Sequence, residues 1–300
     1  MKNVLLWIST MRLRTLPLSI SGIILASCIA KYDGHFDWKV FVLAILTTLS
    51  LQILSNLAND YGDGVNKTDN DDRIGPERAI QSGKISPEEM FNAIRINILI
   101  SIVLAFFLVF SAFGVRHFYL TALFFVLGIV SIIAAIKYTM GNNPYGYRAL
   151  GDVFVFIFFG LLSVMGCYVL YAKEINHVVF LPAISIGLLS TGVLNLNNMR
   201  DMKSDEKVRK VTLAVKLGFR KVKIYHGFLI ISAIILSALF GLLYYISPLS
   251  LVFMMAYIPL TIHLIKVFRI KELKDLDPEL KKLALTTFFM SVLMGVGYLV

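Results

Sequence analysis

The chain has 300 residues, 57% hydrophobic and only 16% charged, with a mean hydropathy of +0.76 and a net charge of +10. Soluble domains carry about 25% charged residues, so this composition excludes an ordinary soluble helical protein and points to repeated membrane spans. The positive balance is explained by Lys and Arg in cytoplasmic loops, and no nucleic-acid partner is expected. The two cysteines, Cys28 and Cys167, sit in separate apolar runs, which excludes a disulfide framework and a thiolate metal site. The five histidines are scattered with no pair at ligand spacing, and no histidine metal site is expected.

Apolar windows of about 20 residues, the length that crosses a bilayer, predict nine transmembrane helices near 15–31, 39–59, 92–114, 118–136, 152–171, 178–198, 223–245, 248–267 and 283–300. Before the first span, Arg12 and Arg14 interrupt the apolar stretch and no small-residue cleavage site follows, so this segment does not read as a cleaved signal. Pro17 and Pro248 fall in first helical turns, where a missing N–H does no harm. Gly160 and Gly187 lie within spans, as expected where helices pack closely in lipid. Ser86-Pro87 followed by Glu88 and Glu89 is a helix-start signature. The fold class is an all-α polytopic membrane protein, read as one transmembrane domain over residues 1–300.

Of the 29 Lys and Arg residues, 25 fall on one side of this topology; Lys31, Lys39, Arg116 and Lys173 fall on the other. That bias puts the N-terminus in the cytoplasm. Two acidic stretches, LSNLANDYGDGVNKTDNDDRIGPERAIQSGKIS from Leu54 and LNLNNMRDMKSDEKVRKVTLAVKLG from Leu194, then emerge on that same side, after spans two and six. Four spans apart and pointing one way, they predict a parallel internal repeat, with spans one to four resembling five to eight.

In each stretch an Asn precedes an Asp by four residues, Asn59 with Asp63 and Asn197 with Asp201. On a helix this spacing puts both side chains on one face. Asp201 and Asp205 form a second such pair, and two like charges so placed repel unless a cation intervenes. Hard oxygen ligands without His or Cys select Mg²⁺ or Ca²⁺, and Mg²⁺ completes its shell with phosphate oxygens. The interleaved Arg73, Arg78, Lys84, Arg200, Lys203 and Lys210 suit the rest of a diphosphate. This set fits ionisation of an allylic diphosphate, with the membrane interior holding an isoprenoid tail and an electron-rich ring as acceptor. Tyr138 and Tyr147 would line that region or face a cation with their rings.

The motifs NDYGD…TD and NNMRDMKSD…TLAVKLG resemble the UbiA superfamily of intramembrane aromatic prenyltransferases. MRLRTLPLS at 11–19, DRIGPERAIQSGKIS at 72–86 and YTMGNNPYGYRALGD at 138–152 are similar to its branch that acts on 1,4-dihydroxy-2-naphthoate. The resemblance implies a UbiA-like nine-helix bundle in the bacterial inner membrane, its active site facing the cytoplasm. It implies transfer of a polyprenyl group from polyprenyl diphosphate to 1,4-dihydroxy-2-naphthoate, with loss of CO₂ and diphosphate, giving demethylmenaquinone. The implied cofactor is Mg²⁺; the implied partners are the diphosphate, a small aromatic acceptor and membrane lipids. The motifs set no oligomeric state.

Carried over by position, Asp63, Asp201, Asp205, Lys137 and Tyr138 are the candidate catalytic residues. Arg14, Asn59, Arg78, Tyr147, Arg148, Asn197, Asn198 and Arg200 are candidate substrate contacts. Asp60, Asp63, Asp69, Asp201 and Asp205 are candidate metal ligands, either Asp60 or Asp69 completing the first site. Where other branches place the last Asp of the first motif this chain has Lys67. Asp71, Asp72, Glu88 and Glu89 read as loop-solvating or helix-capping groups. Asp152 reads equally as a substrate contact or as a polar residue at a span entrance. The run FVFIFFG at 154–160 reads as lipid-facing or packed core. Other acceptors, such as 4-hydroxybenzoate or homogentisate, fit the same superfamily. A divalent-cation transporter would instead place carboxylates at mid-membrane.

Overall fold

A computed structural model describes residues 2–66 and 78–300. It is helical throughout; among the described residues the only ladder contact is an isolated parallel bridge between Arg148 and Val211. The elements are α1 (Lys2–Thr10), α2 (Leu16–Tyr32), α3 (Trp38–Val65), α4 (Pro87–Phe113), α5 (Phe118–Lys137), α6 (Gly151–Ala172), α7 (His177–Lys207), α8 (Leu213–Leu243), α9 (Pro248–Arg269) and α10 (Leu273–Leu299). Among the described residues, eight helices, α3 to α10, are long and apolar enough to cross a membrane. The first expected span falls on the 17-residue α2. The short α1 is an element the span pattern did not include; its Leu6 and Trp7 pack against a cluster that contains Leu54 and Leu57 of α3 and Met90 and Ile94 of α4.

Helix starts follow local chemistry. Asp37 caps α3, its Oδ1 accepting from the backbone N–H of Lys39 at 2.6 Å and of Val40 at 3.2 Å. Ser86 and Glu89 form the reciprocal capping box of α4, with Pro87 at its first position. Thr212 caps α8, and Gly218, with φ of 73°, bends it one turn later.

α7 is the most buried span, with Ile186, Leu189 and Leu196 fully enclosed. It crosses α6 at Gly160 and Gly187, where a Cβ added at Gly160 would lie 2.6 Å from the Gly187 Cα, so only glycine allows this approach. In α6 the backbone winds as a π-helix from Phe156 to Gly166, a rare departure from α geometry. α3 packs on α4 and α7 on α8, the same neighbour relation in each half. The outer faces of α4 and α5 expose Leu99, Phe106, Phe107, Leu123, Val126 and Ile133, which suits lipid contact and not water.

Two histidines that are far apart in the sequence meet in the fold. His226 of α8 and His263 of α9 are buried and face each other, with Nε2 atoms 3.0 Å apart, and Glu279 Oε2 lies 2.8 Å from His263 Nδ1. The two are 37 residues apart on separate helices, so no linear spacing reveals the pair.

Candidate active site

Both acidic motifs continue their helices instead of leaving them. α3 runs through NDYGDGV and aligns Asn56, Asn59, Asp60 and Asp63 on adjoining positions of one face. α7 does the same with Asn197, Asn198, Asp201 and Asp205. Asp60, Asp63, Asp201 and Asp205 are all buried, with exposures of 2–6%. Unpaired carboxylates at such depth are costly, and each motif answers with its own arginine.

On the α3 side, Arg78 Nη1 donates to the Asn59 carbonyl at 2.8 Å and to Asp63 Oδ2, while its Nε lies 3.9 Å from Asp60 Oδ1. The Tyr147 hydroxyl donates to Asp63 Oδ1 at 2.6 Å. On the α7 side, Arg200 grips Asp201 with two bonds of 2.8 Å, donates to Asn197 Oδ1 at 3.0 Å, and reaches Asp277 of α10 at 2.5 Å. Lys210 spans the two motifs: its Nζ is 3.7 Å from Asp63 Oδ2 and 3.5 Å from Asp205 Oδ1, and 5.3 Å from the centre of the Tyr147 ring.

The loop from 138 to 150 is strapped over the end of α3. Thr139 Oγ1 donates to the Ala58 carbonyl at 2.9 Å and to Asn59 Oδ1 at 3.2 Å. A Cβ at Gly62 would sit 2.6 Å from the Thr139 carbonyl oxygen, which is why the motif needs glycine between its two aspartates. Tyr145 donates to the Ala134 carbonyl at 2.8 Å, meets the Tyr138 ring edge-on and stacks on Phe154. Burial, with the charge of Asp152 next, pushes the Tyr138 phenol far above its ordinary range, and burial does the same to Tyr145. Both keep their protons.

Beneath this assembly lies a cavity of about 390 Å³. Its polar mouth is lined by Arg12, Asn59, Asp63, Arg78, Asn197 and Lys210; its trunk is lined by Leu108, Phe124, Phe158, Phe159 and Leu162. The oxygens at the mouth are carboxylate and amide, with no thiolate or imidazole, a donor set that fits a hard divalent cation. Among the described residues, no three carboxylate, His or Cys side chains converge as ligands; the cationic heads of Arg78 and Lys210 stand beside the carboxylates instead.

The family model described as the UbiA prenyltransferase family matches residues 20–293. The chain belongs to the UbiA prenyltransferase family. It is 46% identical over 236 residues to the 1,4-dihydroxy-2-naphthoate octaprenyltransferase of Escherichia coli (strain K12), covering 79% of this chain and 76% of that protein. To the Haemophilus influenzae protein of the same name it is 39% identical over 299 residues, covering 98% and 96%. It matches the solved structure of a UbiA homolog from Archaeoglobus fulgidus bound to DMAPP and Mg²⁺ with a TM-score of 0.63 at 16% identity, covering 96% of this chain and 98% of that one. At that identity the likeness concerns the fold.

In this UbiA-family chain, Asn59, Asp63, Arg78, Tyr138, Asn197 and Asn198 reach the cavity wall, and Tyr147 and Asp205 touch its mouth through Asp63 and Lys210. Arg200 is spent on Asp201 and Asp277 and is not on the wall. Lys137 and Arg148 are exposed and also off the wall. Asp152 is buried, accepting from the Tyr225 hydroxyl at 3.1 Å. Asp69, Asp71, Asp72 and the Arg14 side chain lie outside the described residues.

The run FVFIFFG corrects its sequence reading: Phe154, Phe158 and Phe159 line the cavity. Sequence reasoning passed over Arg12, whose signal was its place in MRLRTLPLS beside Arg14. Lys210 was one cation among six, and only the turn after α7 singles it out.

Proposed function

We propose that this protein transfers a polyprenyl group from polyprenyl diphosphate to 1,4-dihydroxy-2-naphthoate, releasing diphosphate and CO₂ and yielding demethylmenaquinone. The observation that carries the reading is the two-part cavity, whose polar mouth is assembled from both acidic motifs and whose trunk is apolar. Identity to naphthoate octaprenyltransferases over most of the chain supports the acceptor. In this reading the mouth faces the cytoplasm of a bacterial inner membrane, and the bias of Lys and Arg to one side supports that orientation.

The positions of the residues support the following roles. Asp63, Asp201 and Asp205, with Asn59 and Asn197, would hold Mg²⁺, which when bound would offset negative charge on the leaving diphosphate. Arg78 and Lys210 stand beside the carboxylates, and Arg12 also lines the cavity. Tyr147 orients Asp63 through its hydroxyl. Tyr138, held neutral and close to the carboxylates, offers its ring face to the allylic cation. The phenylalanines of α6 and Phe124 exclude water from that cation. An ion-path reading would need carboxylates along the trunk, whereas Asp63 at the mouth is the acidic residue on the described cavity wall.

Purified protein in detergent, given Mg²⁺, a polyprenyl diphosphate and either dihydroxynaphthoate or 4-hydroxybenzoate, tests the proposal by product mass. The expected product is a decarboxylated prenyl-naphthol from dihydroxynaphthoate alone, lost with EDTA. Product from the benzoate alone would overturn the acceptor; no product from folded protein would overturn the reaction.

A further inference from the structure

We infer that Lys210 is the tethered counter-ion of the two acidic motifs: its ammonium links Asp63 to Asp205 in the substrate-free protein and yields them to the divalent cation when the diphosphate arrives. The inference rests on the metal–diphosphate reading above and adds to it a residue that changes partners.

The motifs carry like charges on two helices, and bringing Asp63 toward Asp205 is repulsive without a cation between them. Arg78 serves Asp63 and Asp60 on the α3 side, and Arg200 serves Asp201 on the α7 side. Lys210 reaches one oxygen of each motif. Its contacts are loose: 3.5 and 3.7 Å exceed the 2.7–3.2 Å range of a formed N–H···O bond, whereas Arg200 holds Asp201 at 2.8 Å.

The base of the Lys210 side chain is nonetheless fixed. Its backbone N–H donates to the Asp205 carbonyl at 2.9 Å, Val211 N–H donates to the Tyr147 carbonyl at 3.2 Å, and Arg209 turns the chain in the left-handed region with φ of 58°. A rigid base under a flexible four-carbon stem is the arrangement of a head group that swings while its backbone stays. The Tyr147 ring, 5.3 Å away, gives the ammonium a face to lean on.

Displacement follows from distance. Mg²⁺ sits about 2.0–2.1 Å from its carboxylate oxygens, so an ammonium 3.5–3.7 Å from the same oxygens would stand within a few ångströms of a divalent cation. One of the two must move. Lys210 lines the mouth, so the incoming diphosphate oxygens are its next partner. Arg78, pinned by the Asn59 carbonyl, has no such freedom.

The test measures Mn²⁺ binding to substrate-free protein from the free-ion EPR signal, for wild type, Lys210→Met, Lys210→Gln and Lys210→Arg. Two neutral variants of different polarity guard against one failing to fold. Both should bind Mn²⁺ about tenfold tighter than wild type, as removal of a unit charge beside the site demands, with Lys210→Arg no tighter. At saturating Mn²⁺, both should bind inorganic pyrophosphate about tenfold more weakly. Neutral variants with unchanged Mn²⁺ affinity, where Asp63→Asn and Asp201→Asn abolish binding, would overturn the Lys210 inference alone. Wild-type Mn²⁺ binding that survives both Asp substitutions would overturn the metal reading and the inference with it.

Discussion

The hydroxyl of Tyr147 donates to Asp63 Oδ1 across 2.6 Å, tying the loop after α5 to the last turns of α3. A hydrogen bond to a charged group contributes about 1.5–3 kcal/mol. Tyr147→Phe keeps the ring and removes the bond. We expect kcat/KM to fall by about 10- to 100-fold and the Mg²⁺ concentration for half-maximal rate to rise. Steady-state kinetics across a Mg²⁺ series measure both; unchanged values would mean that the bond orients nothing.

Arg200 is expected to act on stability and not on substrate. It satisfies buried Asp201 and ties α7 to Asp277 of α10. Removing one partner of a buried ion pair costs about 3–5 kcal/mol, so Arg200→Met should lower the thermal midpoint in detergent by several degrees. The folded fraction should keep its KM for prenyl diphosphate within about twofold. A KM raised tenfold would restore Arg200 to the substrate site.

Tyr138 sets a pH expectation. Burial favours its neutral form, so its folded pKa lies above the unfolded value of about 10. The stability this gives the fold is present below pH 10 and is lost as pH rises beyond it. Within the assay range the phenol does not ionise. Tyr138→Phe should therefore leave the alkaline limb of the pH–rate profile in place, and a limb that disappears in this variant would assign the ionisation to Tyr138.

The trunk sets a length expectation. Asp63 and Ala44 both line the cavity and lie 19 residues apart on α3, about 28 Å at 1.5 Å per residue. Ala44→Trp fills the deep end of a close-packed wall. Turnover with a long polyprenyl diphosphate should fall by about tenfold, and turnover with geranyl diphosphate should change by less than about twofold. Undiminished turnover with the long donor would show that the tail leaves the cavity before Ala44, and equal losses for both donors would show an effect that does not depend on tail length.

Much of this was legible in the chain. The long spans follow from apolar length alone, and the two Asn–Asp motifs could be placed on helix faces because an i, i+4 spacing has one geometric meaning. What was illegible depended on contacts between distant segments. Arg200 sits among the other cations in sequence, and only the approach of Asp277, 77 residues away, diverts it. His226 and His263 meet because α8 and α9 pack. The phenylalanines of α6 could not be sorted between lipid, core and cavity, since all three favour the same residues. Lys210 emerges only once the left-handed turn at Arg209 and the Tyr147 contact place it. The short α1 falls below the length a span search detects.

The most direct test of the central claim is a structure of the protein with Mg²⁺ and a non-hydrolysable prenyl diphosphate analogue. The diphosphate is expected at the mouth between Asp63 of α3 and Asp201 and Asp205 of α7, bridged by metal, with the prenyl tail running past Phe158 and Phe159 into the trunk. A diphosphate bound away from either acidic motif, or a tail lying wholly outside the cavity, would contradict that claim.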